Sequence, residues 1–253
     1  MRSVRIIPCL LWRDGGLWKT RRFKDPVYVG DPINTARLFN DKDVDELVLL
    51  DISATLEGRR PDLAAIADVA DECFAPFCYG GGIRSLEDVH DILAVGVEKV
   101  SLNAVAVERP ELVEQAASRF GSQSVVVAID ARRGSGGGFD VVTHGGHRAT
   151  GLDLVGHARA MEARGAGELL ITSVDREGTG DGYDIQLLRA VSDAVSIPVV
   201  AHGGAGTLEH LGHAVHDGRA SAVAAGSLFV FVGPHRAVLV NYPDDAQLEA
   251  MVG

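Results

Sequence analysis

The sequence predicts a (β/α)8 barrel assembled from two related half-barrels. Three observations carry this reading. Eight short apolar runs alternate with helical patterns, which implies parallel strands joined by helical crossovers. A glycine phrase at a strand end occurs twice: Phe77–Gly82, FCYGGG, and Ala201–Ala205, AHGGA. The length, 253 residues, suits this single-domain architecture. At an offset of 122 residues, Gly81, Gly82, Leu86, Glu87 and Gly96 fall on Gly203, Gly204, Leu208, Glu209 and Gly218. Asp45–Val48 aligns with Gly167–Leu170, and Ile7–Leu11 with Val126–Asp130. The halves span about residues 1–120 and 121–253. A doubly wound open sheet has no reason to repeat the glycine phrase.

In the first half, Val4–Leu11 reads as a buried strand and Trp12–Lys24 as a polar loop carrying Lys19. Asp31-Pro32 is an N-cap with proline at the first helical position, and a helix follows. Glu46–Leu50 is the second strand, ending at Asp51, and Pro61–Phe74 its helix. Phe77–Tyr79 with Ser85–Val95, then Lys99–Leu102 with Pro110–Phe120, complete this half.

Ser124–Asp130 opens the second half with the continuous apolar run of a strand covered on both faces. Gly134–Gly138 reads as a flexible link and Phe139–Arg148 as a hairpin turning at Gly145-Gly146. Asp153–Arg164 and Asp184–Val195 are helices flanking the strand Glu168–Thr172. Pro198–Ala201 and Ala220–Ala225 are the last strands, with a helix over Thr207–Asp217. Ser227–Phe231 forms a short extra helix. Beyond it the chain is extended, with one short helix at Asp245–Met251.

The net charge of −11 argues against nucleic acid or an acidic membrane surface as partner. It leaves room for a phosphorylated small molecule held by local glycine loops. Cys9, Cys73 and Cys78 show no disulfide framework and point to reduced thiols in the cytoplasm. No run approaches the ~18 apolar residues of a membrane span. The nine histidines form no metal signature, and no P-loop occurs, so no metal or cofactor is expected. His144 and His147 read as surface residues on the hairpin.

Function in such a barrel belongs at the C-terminal strand ends. These hold Leu11, Asp51, Gly81-Gly82, Asn103, Asp130, Ser173, His202–Gly204 and Gly226-Ser227. Glycines there let backbone N–H groups approach a phosphate closely.

The motifs DELVLLDI, YGGGIRSLEDV, RFGSQSVVVAID, GAGELLITSVDREGTGDGYD and VVAHGGAGTLEH resemble the cyclase subunit family of imidazole glycerol phosphate synthase. The resemblance runs from about residue 4 to 231. It implies a barrel that takes ammonia from a glutaminase docked at its bottom and uses it at the top to build an imidazole ring from a bisphosphorylated ribulotide. It further implies phosphate cradles at Gly81, Gly82 and Asn103 and at Gly203, Gly204, Gly226 and Ser227, with Lys19 and Asp51 as further ligand contacts. Asp130 matches a catalytic aspartate. Arg5, Glu46, Lys99 and Glu168 match a charged ring at the ammonia entrance.

Where the family reads Cys-Leu-Asp on strand one, this chain reads Cys9-Leu10-Leu11. Leucine cannot transfer a proton, and general acid–base catalysis contributes ~10²–10⁴-fold. His202 in place of a small polar residue, Glu177 in place of an aspartate and the altered C-terminus are further departures. Together they resemble a paralogous group associated with acetamidino modification of surface-polysaccharide sugars. That resemblance implies a barrel that accepts glutaminase-derived ammonia and passes it toward a sugar amidotransferase. Two alternatives stay open: a working cyclase, with Asp130 alone or with Asp51 substituting, and a non-catalytic scaffold that activates a glutaminase.

Overall fold

A computed structural model describes residues 4–252. The first half runs β1 (Arg5–Arg13), β2 (Gly16–Arg21), β3 (Lys24–Gly30), α1 (Pro32–Asn40), β4 (Leu47–Asp51), α2 (Ala54–Glu57), α3 (Leu63–Ala70), β5 (Phe77–Gly80), α4 (Leu86–Ala94), β6 (Lys99–Leu102), α5 (Ala104–Glu108) and α6 (Glu111–Phe120). The second runs β7 (Val125–Arg133), β8 (Phe139–Thr143), β9 (Arg148–Asp153), α7 (Leu154–Ala163), β10 (Glu168–Ser173), α8 (Ile185–Ser192), β11 (Val199–His202), α9 (Leu208–His216), β12 (Ala222–Ala225) and α10 (Ser227–Val230). A small hairpin, β13 (Phe231–Val232) with β14 (Ala237–Val238), and α11 (Asp245–Val252) end the chain.

Eight strands pair in parallel in the order β1-β4-β5-β6-β7-β10-β11-β12, and β12 pairs back onto β1. The sheet is therefore closed, as the alternating pattern predicts. The twofold repeat extends to the helix caps. Asp31, Asp62 and Ser85 cap α1, α3 and α4 by accepting a backbone N–H three residues on. Asp153, Asp184 and Thr207, each 122 residues later, cap α7, α8 and α9 in the same way. Ser85 and Thr207 share one backbone conformation, φ −141° and ψ 163°. Short polar side chains satisfy the otherwise orphaned first-turn donors, so the same cap chemistry recurs where the same turn recurs.

The segment Trp12–Lys24 is not a loop. Each half's first strand overshoots the barrel and folds back: β1 pairs antiparallel with β2 and β2 with β3, as β7 pairs with β8 and β8 with β9. Asp14 and Gly15 make the first reversal, both at positive φ (51° and 76°). Asp-Gly is a preferred pair for such a two-residue turn. The charged residues of this stretch conceal a strand, β2, most of which is buried, Lys19 included. Gly134–Gly138 likewise forms the reversal between β7 and β8 rather than a free link.

Alternate residues of the barrel strands point inward. The inner set (Ile7, Cys9, Leu11, Val48, Cys78, Val126, Ala128, Leu170, Val200, Ala222 and Ala224) packs into an apolar column along the axis. The outer set packs against the helices in a larger cluster. At the C-terminus α11 lies beside α9, where the Met251 carbonyl meets His216 Nε2 at 3.3 Å. No helix among the described residues is long and apolar enough to cross a membrane.

Candidate functional site

At the N-terminal end of the strands, four charges close a ring. Arg5 pairs with Glu46 and with Glu168. Lys99 Nζ lies 2.8 Å from Glu46 and 3.3 Å from Glu168. Each cation thus meets both anions. Glu46 and Glu168 are buried, and a buried carboxylate requires such pairing. Above the ring stands the apolar column. A packed column of this kind holds no ion, whereas small neutral molecules cross it at far lower cost.

At the C-terminal end the column opens into a cavity of about 330 Å³, lined among others by Leu11, Asn103, Asp130, Thr172, Glu177 and His202. Asp130 receives Asn103 Nδ2 at 3.1 Å, and the same amide nitrogen donates to the Ala128 carbonyl at 3.0 Å. Burial pushes the Asp130 carboxyl up to about 7, against the pull of hydrogen bonds from Thr172 and Asn103, and Glu177 adds a like charge. Leu11 lines the same cavity on β1. Since β1 and β7 stand four strands apart in a ring of eight, Leu11 faces Asp130 across the barrel.

The residue beside Asp130 on β10 is Thr172. Ser173, expected at this strand end, points to the other side of the sheet. The alternation Glu168, Leu170, Thr172, read inward from the ring, is the sequence signal that identifies Thr172. Thr172 Oγ1 lies 3.1 Å from His202 Nδ1. Burial, with the Lys19 charge nearby, presses the His202 imidazole down to about 4.

The two glycine cradles flank this cavity and differ in size. The second holds Gly203, Gly204, Gly226 and Ser227 and leaves about 20 Å³. Lys19 fills it: the hairpin brings this lysine inside, where Nζ donates to the Cys9 carbonyl at 2.7 Å. A Cβ on Gly226 would come within 2.5 Å of that nitrogen. Burial lowers the Lys19 pKa. A buried ammonium beside glycine amides is an arrangement that favours an anion.

The first cradle, about 330 Å³, holds Gly81, Gly82 and Asn103, with Arg84 and Arg109 at its rim. Gly81, at φ 119°, lies so close to strand β4 that a Cβ would come within 2.4 Å of the Asp51 carbonyl. The Gly82 N–H donates to Thr55 Oγ1 at 3.2 Å, so a ligand must compete for it. His144, part-exposed on the hairpin, lines both this cradle and the central cavity. Among the described residues no histidine, cysteine or carboxylate cluster could hold a metal.

Asp51 lines the same central cavity, but its carboxylate is engaged locally. Its Oδ1 accepts from Ser53 N, Ser53 Oγ and Ala54 N at 2.8–3.0 Å, and Arg59 lies 3.5 Å from Oδ2. This carboxylate is committed to the turn after β4, which argues against its substituting for an acid at position 11. Glu177 has a positional role that the sequence alone does not reveal. Its side chain accepts from Thr20 Oγ1 and Phe23 N, both at 2.9 Å, and ties the first hairpin to the barrel.

Fold and site together define a closed half-barrel-repeat (β/α)8 protein with paired glycine cradles over an axial apolar column. Residues 5–233 match the family described as histidine biosynthesis protein, and the chain belongs to that family. It is 49% identical over 245 residues to a Pseudomonas aeruginosa protein described as "Putative imidazole glycerol phosphate synthase subunit hisF2", covering 97% of this chain and 98% of the relative. It is 44% identical over 252 residues to a Leptospira borgpetersenii protein described as "Putative imidazole glycerol phosphate synthase subunit HisF", covering 99% of each.

Proposed function

We propose that this chain is the ammonia-receiving barrel of a glutamine-dependent complex, with the imidazole-forming reaction lost. A glutaminase subunit docks at the charged ring, and ammonia passes between Arg5, Glu46, Lys99 and Glu168 into the apolar column. The observation that carries this reading is Leu11, which presents an alkyl group opposite Asp130. A cyclase working between two opposed carboxylates needs an acid on each side of its substrate, and the position facing Asp130 across the barrel carries none. The column stays apolar up to position 11, so neutral ammonia reaches the cavity without crossing a charged group above the entrance ring. The resemblance in sequence makes an acetamidino-sugar amidotransferase the recipient and the cytoplasm the setting. The cradles bind a phosphorylated ligand through Gly81, Gly82 and Asn103, and through Lys19, Gly203, Gly204, Gly226 and Ser227.

The test supplies purified barrel with the phosphorylated ribulotide and saturating ammonium salt, and follows imidazole product. No turnover is expected from the natural chain, and measurable turnover from Leu11→Asp. Turnover by the natural chain at the rate of an ordinary cyclase would overturn this reading. It would support the alternative, a cyclase relying on Asp130, whose carboxyl near 7 is poised to exchange protons at neutral pH.

A further inference from the structure

Three consecutive neighbours at one level of the barrel carry polar side chains into the central cavity. Asp130 on β7 is in register with Thr172 on β10, and Thr172 with His202 on β11. Thr172 stands in register beside Asp130 on one side, where its hydroxyl favours the ionised carboxyl, and meets His202 Nδ1 at 3.1 Å on the other. His202 also lines the second cradle together with Leu11 and Lys19. The imidazole therefore stands next to position 11, where no acid exists. Among the described residues its Nε2 has no hydrogen-bond partner.

We infer that Asp130, Thr172 and His202 form a proton relay whose outer end, His202 Nε2, serves the cavity in place of an acid on strand one. The threonine hydroxyl has one proton, so the three groups can be arranged in only two ways. With Asp130 ionised, Thr172 donates to the carboxylate and accepts from Nδ1–H, leaving Nε2 as a bare acceptor. With Asp130 protonated, its proton points to Thr172 Oγ, the threonine proton points to Nδ1, and Nε2 carries the hydrogen. A proton taken up at Nε2 thus appears on Asp130, and the ring is never a cation. This matters because burial and the Lys19 charge resist an imidazolium here.

The inference rests on the reading that ammonia arrives at this cavity. It gives the relay a definite step: ammonia adding across a polarised C=O or C=N bond of an anionic ligand held in the first cradle. The nitrogen lone pair forms the C–N bond, and the double-bond pair moves to the heteroatom. The excess N–H proton passes to Nε2, Nδ1–H to Thr172, and the threonine proton to Asp130. The relay then runs backward and returns a proton from Nε2–H to the heteroatom. Atoms and charge balance, and the relay is restored.

Lys19 from β2, Glu177 from the loop after β10, and Cys9 from β1 also face this corner. The test must separate their titration from that of Asp130. ¹⁵N NMR of histidine-labelled protein, with His202 assigned through His202→Gln, follows both ring nitrogens from pH 5 to 9. Their protonated and unprotonated shifts are expected to exchange with one midpoint near 7, with no doubly protonated ring in that range. Asp130→Asn should abolish the exchange. Thr172→Val, nearly isosteric and keeping both ends, should uncouple His202 from Asp130. An imidazolium forming with a midpoint near 6.5, or an unchanged exchange in Asp130→Asn, would overturn the relay. The readout needs no substrate. Exchange as expected in a barrel whose complex with a glutaminase passes on none of the glutamine-derived ammonia would leave the relay standing and sink the ammonia reading.

Discussion

Leu11 and Asp130 show how much one side chain decides. The Asp130 carboxyl is raised to about 7 chiefly because burial penalises its charge. An acid whose folded-state pKa lies above its unfolded value of ~3.9 stabilises the fold fully below about pH 4 and loses that contribution as pH rises through 7. Asp130→Asn, neutral at every pH, should therefore match the natural protein near pH 4 and exceed it at pH 8, by on the order of 4 kcal/mol. Urea unfolding at the two pH values checks this, and an equal difference at both would refute it. Gly226 is a second such residue. Its missing side chain is what lets Lys19 Nζ enter the second cradle, since a Cβ would stand 2.5 Å from that nitrogen.

Among the elements, the first hairpin depends on a contact made late in the sequence. Glu177 holds Thr20 and Phe23, and its carbonyl accepts from Arg22 N at 2.8 Å. Gly178, at φ 68°, leaves no room for a Cβ, which would lie 2.0 Å from the Thr20 carbonyl. Glu177→Ala should speed amide hydrogen exchange across β2 and β3 and lower stability by about 1–3 kcal/mol, because buried partners lose their acceptor. Exchange in β8 and β9 should not change. The repeated caps give a second expectation. Ser85→Ala and Thr207→Ala should each cost about 1 kcal/mol. Ser85→Ala should cost more, because only that cap is a reciprocal box with Asp88. Thermal unfolding of the two variants side by side decides this.

For the whole molecule, the barrel joins two chemically opposite ends. The bottom is a closed ring of alternating charge and the top a polar cavity, with an apolar column between. Removing one member of a buried ion pair leaves its partner unpaired, at a typical cost of 3–5 kcal/mol; Arg5 is part-exposed, so less is expected of it. Arg5→Ala in the complex with a glutaminase should raise the share of glutamine-derived ammonia lost to the medium at least several-fold. Free ammonia would be measured against coupled product. Unaltered coupling would favour a scaffold that activates its partner without conducting ammonia.

Much of this was legible in the chain itself. The alternation of strands and helices and the repeated glycine phrase depend on local pattern and on internal symmetry, both of which a linear sequence records, and the ring of Arg5, Glu46, Lys99 and Glu168 was legible through the resemblance to a known family. Leu11 was legible in the same way, because against that family's Cys-Leu-Asp the loss of a carboxylate is visible without coordinates. The structure alone placed Lys19 inside the second cradle, because its strand is folded back by a turn and anchored by Glu177, 158 positions later. It alone joined Asp130, Thr172 and His202, because register between strands that are distant in sequence is set by barrel closure. And it tied Asp51 into the turn after β4, because Ser53 and Ala54 fold back to donate to its carboxylate.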